Sequence, residues 1–446
     1  MRTTRQLTLL AAVFVPSLAR AQAGPAPGDV DPELARLIAA TPAIDNHAHP
    51  VLPPPNLATD RGFDALPVDN MEPQTDPVGW RPDSLQLTLA WKALWHFNEV
   101  PPLSADAMKR LNASRDKVRA QQGERYDQWV LDQAHIATML SNRVALGPGV
   151  QPPRFRWVPY IDALVFPFDN SGIAAATPDR TQFFALEDKL RTQYLQAVHL
   201  QAPPPTLDAY LKQVVTATLE RQHSEGAVAE KFEIAYLRGF DFTDPTREEA
   251  ARIYAHLVNH PHPDPAEYKI LQDFLFRFIA TECGRLQMAV HLHAMSGGGG
   301  YFSIAGANPL LLEPLFNTPR LRKTQFVMLH GGWPFVHEAG ALLQKPNAWL
   351  DLSQQSLVIP PHTLAGWLRE WLEVFPDKVL FATDGYPFSD ALGWEDAAFI
   401  ASHNIRQALG IALTGMLRDH EVTREQAAAI ARGVLHDNAA KLYGIP

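Results

Sequence analysis

The chain has 446 residues, 46% of them hydrophobic and 20% charged, which excludes a disordered or fibrous protein and allows one large α/β domain or two smaller ones. Its formal charge of −9 argues against the basic face that nucleic acid requires, so a small molecule is the expected partner. The single cysteine, Cys283, excludes an internal disulfide.

Residues 1–23 read as an export signal. Arg2 and Arg5 precede the apolar run "LTLLAAVFVPSLA", and the small residues of "ARAQAG" suit cleavage after Ala21 or Ala23. The run is shorter than the roughly 20 apolar residues of a membrane span. The mature chain is therefore expected in a periplasm or outside the cell, free of the membrane. Removing a leader that carries Arg2, Arg5 and Arg20 but no acid lowers the charge by three, to −12. Residues 24–40 combine a linker, "GPAPGDVD", with a short amphipathic helix, "PELARLIAA".

From residue 41 to 446, short apolar runs recur, each followed by turn residues and helical stretches, the pattern of β/α units and a parallel sheet. Eight runs qualify: "PAID" ahead of His47, residues 135–146, 157–166, 228–236, 286–293, 325–330, 347–353 and 378–384. Eight predicts an α/β fold of the (β/α)8 TIM-barrel type, with its chemistry at the C-terminal strand ends. The excess length falls at about residues 51–130, where "SLQLTLAWKALWHF" and "ADAMKRLNASRDKVRAQQ" have helical spacing and predict a helical insertion over the barrel mouth, with a separate N-terminal domain as the alternative. The run "SGGGGYFS" (296–303) directly follows the fifth strand and predicts a mobile loop beside any site.

Three His-x-His pairs occur, and context separates them. His260 and His262 lie in a proline-rich turn and read as solvent-facing. His47 and His49 follow strand one, His293 ends strand five, His330 ends strand six and Asp384 ends strand eight, and in a barrel those ends converge. Side chains alternate along a strand, so His47 and His49 share a face and can grip one ion, with His293 and Asp384 completing a three-His, one-carboxylate set. Such a set suits a divalent metal, zinc first, with iron, manganese and nickel also compatible; one or two ions are allowed. His291 shares a face with His293 one layer deeper and reads as a core histidine. Lys231, near the end of strand four, has two readings: a carbamate bridging two cations, or an ordinary lysine paired with Glu230 or Glu233.

The stretches "DNHAHP", "HLHAM", "VMLHGGWPFVHEAGALLQKPNAWLDLS", "VLFATDGYP" and "NAAKLYGI" resemble the amidohydrolase superfamily in its amidohydrolase-related (type 2) branch. They are similar to the amidohydrolase domains fused to glutamine-synthetase-like domains in nodulin-type proteins. The resemblance implies a metal-dependent barrel hydrolase with His47, His49, His293, His330 and Asp384 in matching positions, and Lys231 at a lysine of the pattern. The glycine-rich "AMSGGGG" and His291, in place of the usual glutamine, depart from that pattern and leave the substrate open.

A cation at this site would activate water and polarise a substrate carbonyl. Asp384 would then shuttle the proton to the leaving amine or alcohol, and His330 would stabilise the oxyanion or hold a second ion. The expected reaction is hydrolysis of an amide, ester or lactone. Two rivals stand beside it: a metal-dependent decarboxylase, which the resemblance also allows, and a non-catalytic exported solute-binding barrel. Arg238, just past strand four, is a candidate for binding a substrate carboxylate, and Trp333 and Tyr386 are candidates for the pocket wall. A homo-oligomer is compatible with the sequence.

Overall fold

Each predicted apolar run supplies a short, buried parallel strand: β1 Ala43–Ala48, β2 Ile136–Asn142, β3 Phe155–Val158, β4 Ala229–Phe232, β5 Ala289–His293, β6 Phe326–Leu329, β7 Ala348–Asp351 and β8 Val379–Leu380. The computed structural model describes residues 30–53, 56, 60, 62, 64, 65, 71–260 and 262–446. The expected export signal and most of the linker lie outside the described residues, as does Pro261 of the histidine-containing turn.

Parallel ladders join β1–β2–β3 and β4 through β8. Backbone hydrogen bonds cross both seams between these sets. At one, Val228 N–H donates to Trp157 O at 3.1 Å and Lys231 N–H to Pro159 O at 2.8 Å. At the other, Asn46 N–H donates to Phe381 O at 3.0 Å, Asp384 N–H to His47 O at 2.8 Å and His49 N–H to Gly385 O at 2.8 Å. The eight strands thus form a TIM barrel.

Its interior is filled by one or two residues from every strand: Ile44, Leu140, Val158, Ala229, Ala289, Val327 with Leu329, Trp349 and Leu380. This inward layer follows from two-residue alternation, and it makes the barrel centre a packed core rather than a pore. The C-terminal segment closes the interior, with Tyr443 packed against that layer and its hydroxyl 2.7 Å from His291 Nε2.

Some predicted strands end early. The run 157–166 leaves the ladder after Val158 and becomes a helical turn at Asp162–Leu164, and the run 228–236 turns helical at Ile234–Leu237. The apolar pattern continues because these turns are buried too, and burial alone does not separate a strand from a buried turn.

Between β1 and β2 run helices α1 Leu87–Trp95, α2 Ala105–Gln122 and α3 Tyr126–Gln133. They dock on the side of the barrel through buried polar anchors. Trp91 Nε1 donates to Ala391 O at 3.1 Å, Trp95 Nε1 to Asp396 Oδ1 at 2.7 Å, and Arg115 pairs with Asp396 at 2.8 Å. Truncating either buried indole should cost about 3–5 kcal/mol. Gln74 and Trp80, from the stretch ahead of these helices, line the cavity at the strand ends. No helix among the described residues is long and apolar enough to cross a membrane.

Candidate metal centre

The end of β8 is clamped onto β1 by Asp45. Its carboxylate accepts from Thr383 N–H at 2.9 Å and Thr383 Oγ1 at 2.5 Å, and Thr383 Oγ1 accepts in turn from Gly385 N–H at 3.1 Å. That clamp sets Asp384 beside the paired histidines. His47 Nε2 and His49 Nε2 lie 3.2 Å apart, and Asp384 Oδ1 is 3.4 Å from the first and 3.5 Å from the second. One donor atom from each fits within a sphere of mutual distances no greater than 4.8 Å.

The electrostatics of this trio suit a cation. Burial, with Lys231 adding to it, holds His47 and His49 well below the ordinary histidine range, so both imidazoles are neutral and offer lone pairs. Burial also pushes the Asp384 carboxyl up to about 8, with the Asp351, Glu233 and Asp45 carboxylates adding to the rise and Lys231 opposing it. Three buried donors, two neutral and one anionic only when compensated, fit a divalent ion. His293 Nε2 adds a buried nitrogen with no hydrogen-bond partner among the described residues.

His293 stands outside the trio, and its ring packs against His330 with centroids 4.5 Å apart. His330 in turn lies 5.2 Å from the His47 ring. Its Nδ1 is 2.8 Å from Ser353 Oγ, and that hydroxyl is 2.6 Å from Asp351 Oδ1. Asp351 also accepts from His330 N–H and Asn46 Nδ2, so it is a pure acceptor and the serine proton points to it. Ser353 therefore accepts from His330 Nδ1–H, which leaves Nε2 as an acceptor. Burial, with His293 and Lys231 adding, keeps His330 well below the ordinary range. An oxyanion role for His330 would need the imidazolium, and that form is disfavoured here.

Lys231 Nζ lies 2.8 Å from Glu233 Oε1 and 3.4 Å from His47 Nε2, with both side chains of the ion pair 1% exposed. As an unmodified lysine it has Glu233 as its partner, while alternation turns Glu230 to the other side of the strand. A carbamate on Lys231 would set a second buried anion against Glu233.

Fourteen of the described residues line the cavity that these groups border, among them Tyr386, whose ring meets His49 edge-on at 5.2 Å. Arg238 and Trp333 do not line it. Arg238 is held by Asp273 at 2.7 Å and lies over the Phe242 ring at 4.8 Å, so its charge is spent within the fold. Trp333 sits beyond the turn after β6, where its carbonyl accepts from Ser296 N–H at 2.9 Å. The glycine-rich loop, expected to be mobile, is tied by three donors: Gly298 N–H to Tyr236 Oη at 3.3 Å, Gly300 N–H to Glu72 O at 3.0 Å and Tyr301 N–H to Asp179 Oδ2 at 3.0 Å. Gly297 has no room for a side chain, since a Cβ there would lie 2.6 Å from the Tyr236 ring.

The cavity also contains residues that motif reasoning did not single out. Glu233, which lies just past the end of β4, was expected only as a partner for Lys231. Tyr236, Trp80, Phe388, Gln74 and Gln354 belong to no metal-ligand pattern. His291 is the buried core residue expected, pushed down to about 3 by burial and then by Lys231. His262 is exposed and lies 2.9 Å from Asp169.

Residues 174–445 match the family model described as Amidohydrolase. That span contains Lys231, His293, His330 and Asp384, whereas His47 and His49 precede it. Among curated proteins, protein fluG of Emericella nidulans is 27% identical over 222 residues, 47% of this chain; the chain spans only 25% of that relative. Three solved structures share the fold. A protein of Lactobacillus casei assigned as a metal-dependent hydrolase has a TM-score of 0.62 at 18% identity, covering 92% of this chain and 97% of its own. Uronate isomerase of Thermotoga maritima has a TM-score of 0.60 at 14% identity, covering 93% and 98%. Glucuronate isomerase of Caulobacter crescentus has a TM-score of 0.56 at 14% identity, covering 92% and 93%.

Proposed function

Because the chain belongs to the amidohydrolase family, we propose that it is a metal-dependent hydrolase that cleaves an amide, ester or lactone of a small molecule. The observation that carries this reading is the meeting of His47, His49 and Asp384 from opposite ends of the chain at one buried point. A divalent cation held there, zinc being the ion this donor set suits first, would supply Lewis acidity, easing proton loss from water and polarising a carbonyl. His293 borders the same cavity and is a reserve donor for it; Lys231, which borders it too, would donate only as the carbamate and not as the ammonium paired with Glu233.

Within that frame the chain's own groups have distinct tasks. Asp384, once ionised, takes a proton from water on one oxygen and returns it to the leaving amine or alcohol. His330, with Nδ1–H committed to Ser353, accepts a hydrogen bond from a substrate N–H or O–H at Nε2. Glu233 holds the Lys231 ammonium in place, and Tyr386 walls the pocket beside His49. Export of the mature chain and a small-molecule partner complete the proposal.

The test is metal analysis beside kinetics. His49→Ala is expected to lose metal and turnover together, while Asp384→Asn keeps most of its metal through the imidazoles and loses about 100-fold or more in kcat. An active, metal-free His49→Ala protein would refute the assignment. Release of CO2 in place of an acid and an amine or alcohol would move the protein to the decarboxylase reading.

A further inference from the structure

The side of the cavity away from the histidines is aromatic. Trp80, from the stretch ahead of α1, stacks on Phe388 with centroids 4.9 Å apart and planes at 24°. Phe388 meets Tyr386 edge-on at 5.3 Å, and Tyr386 meets His49 in the same way, so a continuous run of ring faces and edges leads from the mouth to the metal trio. Such a surface binds flat, weakly hydrated groups.

Among the lining residues outside the histidine, lysine and carboxylate cluster, two polar atoms are buried and have no hydrogen-bond partner among the described residues: Trp80 Nε1 and Gln354 Oε1. Gln354 lines the cavity, is 5% exposed and follows Ser353, the residue that orients His330. Its backbone sits at φ 55°, ψ −46°, a conformation that a glutamine adopts at a cost. A buried carboxamide oxygen left unpaired in a strained position is unfavourable for the free fold, and a ligand that satisfies it recovers that loss. The unpaired atoms are an acceptor, Gln354 Oε1, and a donor, Trp80 Nε1, neither of them charged, so they match an N–H and a carbonyl rather than an anion. Among the described residues that line the cavity, the only lysine or arginine is Lys231, and Glu233 already holds it.

We propose that Gln354 and the Trp80–Phe388 pair form the subsite for the non-reacting part of the substrate, and that this part is a flat, uncharged aromatic or heteroaromatic group bearing a carbonyl or N–H. The assignment rests on the hydrolase reading above for the reacting end. It separates this protein from uronate, the carboxylated sugar for which one of the fold neighbours is named.

Calorimetric titration of the metal-loaded full chain with 2-naphthamide and with D-glucuronate tests it. The naphthamide is expected to bind at least tenfold more tightly than glucuronate. Gln354→Gly, whose glycine accepts the left-handed backbone without strain, should weaken naphthamide binding about three- to tenfold, and Trp80→Ala about tenfold, with metal content unchanged. Naphthamide binding that is the same in Gln354→Gly as in the native chain, or tighter binding of glucuronate, overturns the subsite. Gln354-dependent binding with no turnover of any amide or ester overturns the hydrolase reading and leaves the subsite standing. Amide turnover indifferent to Gln354 does the reverse.

Discussion

Glu233→Gln is the perturbation that most directly probes how the site keeps a cation-binding trio next to a lysine. The Lys231–Glu233 pair is 2.8 Å long and 1% exposed on both sides. At an effective dielectric of about 20 its attraction is about 6 kcal/mol, much of it offset by the desolvation of both charges. Removing the carboxylate alone leaves a buried ammonium, which costs about 3–5 kcal/mol in comparable cases. Asp384 and Asp162 also interact with Lys231, but burial raises both, so neither compensates the ammonium fully near neutral pH and the range of about 3–5 kcal/mol stands. The second consequence concerns the metal. With Lys231 Nζ only 3.4 Å from His47 Nε2, an uncompensated ammonium repels any cation held by that nitrogen, and metal affinity should fall about tenfold or more. Chemical denaturation of the metal-free protein reads the first effect, and titration against a chelator of known affinity reads the second. A Glu233→Gln protein with stability within about 0.5 kcal/mol of the native chain and unchanged metal affinity would show that the pair plays neither role.

Arg238→Met should lower stability by about 2–3 kcal/mol by stripping a partner from buried Asp273, which keeps Lys269 at 3.1 Å, and should leave KM within about twofold. A tenfold rise in KM at unchanged stability would return Arg238 to the substrate. Asp127 is buried, both its carboxyl oxygens lack partners among the described residues, and burial, then Glu395, pushes it up to about 8. Between about pH 4 and pH 8 the native chain keeps a proton that the unfolded chain has lost, so this group makes stability fall as pH rises, by at most about 4 kcal/mol from pH 5 to pH 8. Asp127→Asn should flatten that slope in denaturation curves at the two pH values; parallel slopes would reject the assignment.

How much of this was legible in the sequence depends on whether a residue's position or its neighbours decide its role. His47, His49 and Asp384 meet because parallel strands end on one face of a barrel, and an apolar run followed by a polar residue marks such an end. His291 was legible for the same reason, two residues deeper on its strand. Arg238 was not, because its partner Asp273 lies on a helix 35 residues further along, and only the fold brings them together. Trp80 was not, since it comes from an irregular stretch with no periodicity, and Trp333 was misplaced because a turn after β6 carries it past the cavity. The insertion helices were legible as helices, but the stretch ahead of them contributes to the pocket.

The strand ends share a property that no spacing rule reveals. His330, Gln354 and Asp384, at the ends of β6, β7 and β8, are non-glycine residues with φ of 66°, 55° and 55°. Each such backbone costs about 1–2 kcal/mol, and glycine would avoid the cost at every one of them. Glycine has no side chain to offer the cavity. The strain is held by local bonds: His330 N–H donates to Asp351 at 2.8 Å and Asp384 N–H to His47 O at 2.8 Å. All three residues line the same pocket. The left-handed backbone turns each side chain out of its strand's alternation at the point where the strand ends, so the imidazole, the carboxamide and the carboxylate face one cavity. The barrel supplies the convergence and the strained termini supply the aim.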